Sequence, residues 1–304
     1  MHEPLITIGI TCFNAEDTVD RAVLSAIRQD WPNKEVIVVD DCSRDNSWQN
    51  LEALAERYSI TLIRNDHNEG VATARNVLLA AARGEFIAYF DDDDESYPQR
   101  LKKQWLRIVE YERHHTCEFV FCTAVRDVAI DGKVDHCSTA LGQKAPEPRG
   151  EIVADYFLGI DRRKGISWGL FGTCVLMARV QALKDLGGFD PQFRRRAEWD
   201  MAIRAAFRGG HFIAVDEPLI IQNKTQGEDK SGQIPLKYAL MLLKKHKPYL
   251  SERKVYLGSS AMAASRFYWG KGRFWLSWGY TLLACASSPR FVWNGLVRRV
   301  SPPK

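Results

Sequence analysis

The stretch that decides the fold reads Glu85-Phe86-Ile87-Ala88-Tyr89-Phe90-Asp91-Asp92-Asp93-Asp94-Glu95, an apolar strand that runs into five adjacent acids. Adjacent carboxylates repel one another, and such a run costs stability unless a cation lies among them. Oxygen ligands suit a hard divalent ion such as Mg²⁺ or Mn²⁺, which usually also binds substrate phosphates. Because open α/β sheets bind ligands beyond the carboxyl ends of their strands, the run predicts a binding site. The alternative is a solvated acidic turn.

The chain around this stretch alternates strands with helices. Before the acidic run, the apolar pattern predicts strands at residues 5–12, 35–41 and 61–63 and helices at about 15–29, 47–58 and 71–82. This alternation is typical of a mostly parallel, Rossmann-like sheet with helices on both faces. Residues 131–150 are polar and read as a loop. We expect an α/β domain over residues 1–233 and a helical region over residues 234–304.

The cysteines indicate a reducing compartment. The chain has 304 residues and seven cysteines, with no Cys-x-x-Cys pair. An odd count without such a pair predicts neither a disulfide framework nor a zinc site. The amino terminus enters a strand at once, without the basic start and apolar core of a signal peptide. We therefore expect a cytoplasmic protein.

The charge is distributed unevenly along the chain. Residues 234–304 contain 13 Lys and Arg and a single acid, a net +12, whereas the whole chain carries +4. Residues 266–283 interleave three Trp, two Tyr and two Phe with three bases. Trp, Tyr, Lys and Arg favour the headgroup level of a membrane. The uncharged run 274–288 is shorter than the roughly 20 apolar residues that a bilayer span needs.

This composition leaves two interpretations of residues 234–304. One is peripheral binding to the inner face of the cytoplasmic membrane, near a lipid-linked acceptor. The other is a helical hairpin that packs on the α/β domain or on a second copy of the chain, giving a homo-oligomer. The two interpretations are compatible.

Two further strand ends carry polar residues. Thr11-Cys12-Phe13-Asn14 ends the first strand, and Asp40-Asp41 ends the second. In a parallel sheet these ends lie side by side with Asp91, and together they predict a cleft. Phe13 is placed to stack on a base, and Asp41 to accept a hydrogen bond from a base N–H or a ribose hydroxyl.

Four ordered motifs resemble the family 2 glycosyltransferases of the GT-A fold. They are Thr11 to Asn14, Val38 to Asp45, Asn68 to Asn76 and Gly84 to Asp94, within a resemblance that covers about residues 4–220. The family transfers a sugar from a nucleotide-sugar donor to an acceptor hydroxyl and inverts the anomeric centre. The resemblance therefore implies a hexosyltransferase-type enzyme. The Gln-x-x-Arg-Trp motif of processive synthases is not found, so we expect one sugar to be transferred per encounter.

The resemblance also assigns site residues. The positions that match nucleotide-sugar contacts are Thr11, Phe13, Asp41, Arg75, Asn76, Asp91 and Asp92. Asp93 matches the principal ligand of Mn²⁺ or Mg²⁺, with Asp91 as a second. The family usually has tyrosine where this chain has Phe13, which keeps the ring and loses the hydroxyl.

The general base is expected at the start of the segment Ala197-Glu198-Trp199-Asp200. The family usually has Glu-Asp here, and an Arg follows along the helix. Counting back from Arg204 puts Glu198 in the place of the catalytic Asp, with Asp200 as the alternative. Two residues apart on a helix, their side chains point about 200° apart, so only one faces the cleft. If neither is the base, both favour the helix dipole from the first turn.

The partners follow from the same resemblance. We expect a UDP-sugar or a deoxythymidine-linked sugar as donor, UDP being favoured, and a glycan or lipid-linked glycan acceptor of bacterial surface polysaccharide or lipopolysaccharide synthesis. No nucleic-acid partner is expected. Trp168 would stack on the acceptor or lie in the core, and Lys224 and Lys230 would screen the diphosphate or remain solvated. The rival function is an inactive, transferase-like protein that binds glycans or serves as a scaffold.

Overall fold

The computed structural model describes residues 3–130, 132–223 and 232–293. Lys224 and Lys230 lie outside the described residues. The chain forms two compact units. The first comprises Met1–Glu151 and Lys164–Thr225, and the second comprises Ile152–Arg163 and Gln226–Lys304.

A mixed sheet organises the first unit. Its strands are β1 (Ile6–Cys12), β2 (Lys34–Asp40), β3 (Thr61–Arg64), β4 (Phe86–Asp91), β5 (Glu95–Ser96), β6 (Val120–Ile130), β7 (Lys133–Ser138), β8 (Met177–Arg179) and β9 (His211–Asn223). They lie in the order β3-β2-β1-β4-β8-β6-β9-β5, and β7 pairs with β6. The strands β1 to β4 are mutually parallel, whereas β8 pairs antiparallel with β4 and β6.

Helices connect these strands. They are α1 (Val19–Ile27), α2 (Ser47–Ala55), α3 (Val71–Ala81), α4 (Arg100–His114), α5 (Glu151–Phe157), α6 (Val180–Asp185) and α7 (Ala197–Phe207). The alternation predicted from the sequence is present, and the α/β fold class is confirmed. The predicted loop 131–150 differs, because it contains β7, which is almost wholly exposed and carries no apolar alternation.

The core explains why the strand ends meet. Ile6, Ile8 and Ile10 of β1 are fully buried, beside Phe86 of β4 and Val38 of β2. Buried on both faces, β4 reads as a nearly continuous apolar run from Phe86 to Phe90, as parallel strands do. Apolar burial at about 25 cal/mol per Å² then fixes the register of neighbouring strands.

That register aligns the three polar strand ends. Thr11 pairs with Asp91 on one side and Val39 on the other, and Cys12 pairs with Asp40. The predicted juxtaposition is therefore present: the ends of β1, β2 and β4 meet at one edge of the sheet.

The second unit is helical. Its helices are the part of α5 after Glu151 and α8 (Ile234–Lys245), α9 (Lys247–Glu252), α10 (Tyr256–Gly270) and α11 (Phe274–Ser287). The expectation of a helical C-terminal region is confirmed, and α10 packs against α8 and α11. Among the described residues, no helix combines the length and hydropathy needed to cross a bilayer.

Candidate active site

Hydrogen bonds join the strand ends directly. The backbone N–H of Phe13 donates to Oδ2 of Asp92 at 2.9 Å, and the N–H of Asp41 donates to the carbonyl of Cys12 at 2.8 Å. Phe13 is 42% exposed, although large apolar residues are usually buried. An exposed aromatic ring at this edge of the sheet is suited to stacking on a planar base.

Asp41 holds the loop that leads into α3. Its Oδ1 accepts hydrogen bonds from the side chain of Asn65 at 2.8 Å and the N–H of Glu69 at 3.0 Å, and its Oδ2 from the N–H of Gly70 at 2.7 Å. Gly70 has φ of 94°, a conformation that glycine adopts without strain. A carboxylate offers about four acceptor positions, so the buried Asp41 has room for about one further donor.

The two residues predicted on α3 have different surroundings. The Nη2 atom of Arg75 lies 3.4 Å from Oδ1 of Asp91, and the guanidinium lies over the ring of Phe189. Asn76 instead donates to the carbonyl of Phe189 at 2.7 Å and accepts from its N–H at 2.8 Å. The structure thus brings Arg75 to the acidic run, while Asn76 fixes the turn at Phe189.

The acidic run is electrostatically strained. Burial, together with the charges of Asp93 and Asp91, raises the pKa of Asp92 to about 8. Burial and the same two neighbours raise the pKa of Asp94 to about 8. Because negative charge on Asp92 and Asp94 is unfavourable in the free protein, a cation bound nearby would stabilise their ionised forms.

The structure places Asp94 beside Asp91, one of the two predicted metal ligands. Oxygens of Asp91 and Asp94 and the sulfur of Cys174 lie within 4.8 Å of one another. Oδ1 of Asp94 accepts the N–H of Asn223 at 3.0 Å, whereas its buried Oδ2 has no hydrogen-bond partner among the described residues. Burial raises the pKa of the Cys174 thiol to about 12, so the carboxylates are the better ligands for a hard ion.

Asp93, the predicted principal ligand, is fixed through its backbone. Its carbonyl accepts hydrogen bonds from Nδ2 of Asn223 at 2.9 Å and Nη2 of Arg21 at 3.3 Å. Asn223 therefore orients two consecutive acids of the run, because it also bonds Asp94. Sequence reasoning missed Asp94, although it stands in the run itself.

A buried arginine beneath the run was also missed. Arg100, at the start of α4, is fully buried and donates to the carbonyl of Tyr89 at 2.8 Å and to side chains of Ser96 and Gln104. Burial lowers its pKa to about 10, against the opposing effect of Asp91 and other nearby acids. Its fixed charge offsets part of the repulsion, yet the pKa values above show that much of the repulsion remains.

The two candidate bases, Glu198 and Asp200, have different surroundings at the start of α7. Asp200 is fully buried, and its Oδ2 accepts Nε of Arg204 at 2.8 Å. Arg204 also donates to the carbonyls of Leu186 and Gly188 in the turn before α7. Glu198 is half-buried and forms no hydrogen bond or ion pair with the described residues. Of the two candidates, Asp200 is thus held in a buried ion pair, whereas the described residues leave the carboxylate of Glu198 unbonded.

Replacing Arg204 with methionine should lower the free energy of unfolding by about 3–5 kcal/mol, the usual cost of breaking a buried ion pair. The change removes the guanidinium from Asp200 and from two backbone carbonyls. Urea denaturation measures the loss. Arg208→Met is the matched control, because Arg208 pairs with the exposed Glu118 and should cost about 1 kcal/mol or less. Equal losses for the two variants would contradict the structural role of Asp200.

Trp168 lies on a tethered segment rather than in the core. Its side chain is half-buried. The N–H of Gly142 donates to the carbonyl of Ser167 at 3.1 Å, and the N–H of Leu170 donates to Thr139 at 2.9 Å. A Cβ at Gly169 would lie 2.5 Å from the carbonyl carbon of Ala140, so the two segments approach closely. The backbone around Trp168 is therefore held in place, while the residue itself is only partly buried.

Comparison with known proteins agrees with this geometry. The model of the family "Glycosyl transferase family 2" matches residues 7–186. The colanic acid biosynthesis glycosyl transferase WcaA of Escherichia coli K12 is 28% identical over 254 residues, which is 81% of this chain and 82% of the relative. The Escherichia coli UDP-Glc:alpha-D-GlcNAc-diphosphoundecaprenol beta-1,3-glucosyltransferase WfaP is 34% identical over 109 residues, 36% of this chain and 43% of the relative.

Solved structures show the same fold. Residues 1–349 of S. aureus TarS in complex with UDP-GlcNAc superpose with a TM-score of 0.62 at 18% identity, over 86% of this chain and 72% of that one. Against a longer TarS chain the match again covers 86% of this chain, but only 43% of TarS. The family match spans more than half of the chain and includes the ends of β1, β2 and β4. This protein belongs to glycosyl transferase family 2.

Proposed function

We propose that this enzyme transfers one sugar from a nucleotide-sugar donor, preferably a UDP-sugar, to a hydroxyl of a glycan or lipid-linked glycan, with inversion. The observation that carries the proposal is the strand register that sets Thr11 beside Asp91 at one edge of the sheet, with Phe13 exposed next to them. TarS, which shares the fold, has been solved with UDP-GlcNAc, and this supports the donor class.

The carboxylates fit a divalent cation. We propose that Asp93, Asp91 and Asp94 bind Mn²⁺ or Mg²⁺, because the buried Oδ2 of Asp94 has no hydrogen-bond partner among the described residues and the run holds its charge at a cost. Carboxylate oxygens are the ligands that these hard ions prefer. When bound, the ion supplies positive charge that stabilises the departing nucleoside diphosphate.

The other residues of the site bind, orient and move a proton. Phe13 stacks on the base, and Asp41 holds the loop before α3 and accepts one donor hydroxyl. Arg75 keeps Asp91 in place through their contact at 3.4 Å. Glu198 takes the proton from the acceptor hydroxyl as that oxygen attacks the sugar, which contributes typically 10²–10⁴-fold to the rate. Attack opposite the leaving group inverts the anomeric centre.

The acceptor and the compartment are proposed from different observations. WcaA is named for colanic acid biosynthesis and WfaP for a diphosphoundecaprenol acceptor, which supports a role in bacterial surface polysaccharide synthesis and a lipid-linked acceptor. All seven cysteines are free, which fits a cytoplasmic enzyme. An inactive, glycan-binding protein would need neither an available Glu198 nor a strained run of carboxylates.

A nucleotide-sugar panel tests the proposal. With Mn²⁺ present, the correct donor at about 100 times its Kd should stabilise the fold by about 2.7 kcal/mol and raise Tm by roughly 5 °C or more. Thermal shift identifies the donor, and release of the nucleoside diphosphate then reports turnover. The lipid-linked acceptor that WfaP is named for is a first choice for the transfer assay. Stabilisation without release or transfer would favour the glycan-binding alternative. No shift with any nucleotide sugar would refute the function.

A further inference from the structure

The turn between α10 and α11 exposes aromatic and basic side chains together. Every residue from Trp269 to Leu276 is exposed, and Trp275 is 91% exposed. Lys271 and Arg273 stand between the aromatic residues. Contiguous exposed aromatic surface is rare on a protein that meets only water, and it marks an interaction site.

The exposed apolar surface continues along α11. The large apolar side chains exposed on this helix are Phe274, Trp275, Leu276, Trp278, Leu282 and Leu283. The residues buried on it are Ser277 and Ala284. A helix of a water-soluble protein shows the reverse arrangement, with its apolar stripe towards the core and polar residues outside.

The contact between α10 and α11 combines hydroxyl hydrogen bonds and small residues with a stacked pair of tyrosines, Tyr268 and Tyr280. Oγ of Ser265 lies 3.0 Å from Oγ of Ser277 and 2.8 Å from Oγ1 of Thr281, which in turn donates to the carbonyl of Ser277. Gly258 allows close approach, because a Cβ there would lie 2.6 Å from that of Ser288. Small residues and hydroxyl hydrogen bonds hold helices together in lipid, where apolar side chains gain nothing by facing each other.

Charge identifies the surface that these helices meet. Residues 234–304 carry a net +12, so two copies brought together would repel each other, whereas an anionic lipid surface attracts them. The 14 residues of α11 extend about 21 Å, less than the roughly 30 Å of a bilayer core. These dimensions and the basic turn fit a hairpin that lies at the headgroup level.

We propose that α10 and α11 form a membrane-docking hairpin, in which the turn 269–276 and the exposed face of α11 insert into an anionic bilayer surface. Trp275 and Trp278 enter the boundary between headgroups and acyl chains, and Lys271 and Arg273 bind lipid phosphates. The inference goes beyond the proposed function, because the hairpin would bind lipid whether or not the first unit transfers a sugar.

Vesicle flotation of the full chain tests the proposal, with vesicles of equal parts phosphatidylglycerol and phosphatidylcholine. The wild type should float with these vesicles and remain behind with phosphatidylcholine alone. Trp275→Glu/Trp278→Glu should lower binding by roughly a hundredfold or more, since two large side chains lose their apolar burial. Lys271→Gln/Arg273→Gln should lower vesicle binding by about 25-fold, at about fivefold per charge.

The matched control is Ile130→Glu/Val134→Glu, which changes two exposed apolar residues of the β6–β7 hairpin and should float like the wild type. Donor hydrolysis should be equal in all these variants, so failure of docking and failure of the glycosyltransferase proposal are distinguishable. Flotation that is unchanged in the tryptophan variant would overturn the proposal. A dimer seen by sedimentation in the absence of lipid, and dissociated by the tryptophan changes, would also overturn it. The exposed face of α11 would then bind a second copy of the chain.

Discussion

Replacing Glu198 with glutamine should lower kcat by about 10²–10⁴-fold, the usual contribution of a general base, and leave donor affinity unchanged. The amide matches the carboxylate in shape but cannot take the proton from the acceptor hydroxyl. Glu198 bonds to none of the described residues, so its loss should not disturb the fold. Initial rates of transfer and donor-induced thermal shift measure the two quantities on the same protein.

Asp200→Asn is the informative comparison. Asp200 is buried against Arg204, so its neutralisation should lower Tm, whereas Glu198→Gln should leave Tm unchanged. Full activity in Glu198→Gln would reject Glu198 as the base. A folded Asp200→Asn enzyme with intact donor binding and a kcat as low as expected for Glu198→Gln would transfer the role to Asp200.

The part of the site that the sequence predicts well is set by the backbone. The ends of β1, β2 and β4 meet because these three apolar strands are mutually parallel and buried side by side, and burial leaves a single register. The register of the strands therefore fixes the position of any residue that directly follows one of them. Thr11, Asp41 and Asp91 therefore come together as the pattern predicts.

Side-chain partners were harder to predict. Helical geometry says that Glu198 and Asp200 point apart, but not which of them is buried. The answer comes from Arg204, four residues after Asp200, where an acid and a base on one helix face each other. That spacing is visible in the sequence. The hydrogen bond from Asn76 to the backbone of Phe189, 113 residues away, could not be predicted from the neighbouring sequence.

Two other features escape the pattern for physical reasons. The strand β7 forms by pairing with β6 although it is polar and exposed, so hydrophobic alternation could not reveal it. On α11 the aromatic run is evident in the sequence, but the inward position of Ser277 is not. Only the packing of α10 shows that the hydroxyl of Ser277 lies between the helices while Trp275 and Trp278 are exposed.

Replacing Asp93 with alanine should abolish metal-dependent donor stabilisation and lower kcat/KM by at least about 10²–10³-fold, the cost of losing one electrostatic contact to a developing charge. The proposed ion loses a carboxylate ligand, and the leaving diphosphate loses the charge that it supplies. Donor thermal shift with and without Mn²⁺ measures the first effect, and initial rates measure the second. Asp135→Ala, an exposed acid on β7, should change neither.

Without metal, the same variant should be at least as stable as the wild type. The charge of Asp93 raises the pKa of both Asp92 and Asp94, so removing it relieves repulsion in the empty site. The backbone carbonyl of residue 93 still accepts its bonds from Asn223 and Arg21. We expect Asp93→Ala to have a higher Tm than the wild type without Mn²⁺ and to lose the stabilisation by Mn²⁺ and donor. Together these results would show that Asp93 destabilises the metal-free fold and is needed for the metal-dependent binding of the donor. A lower Tm without metal would contradict the expected relief of repulsion.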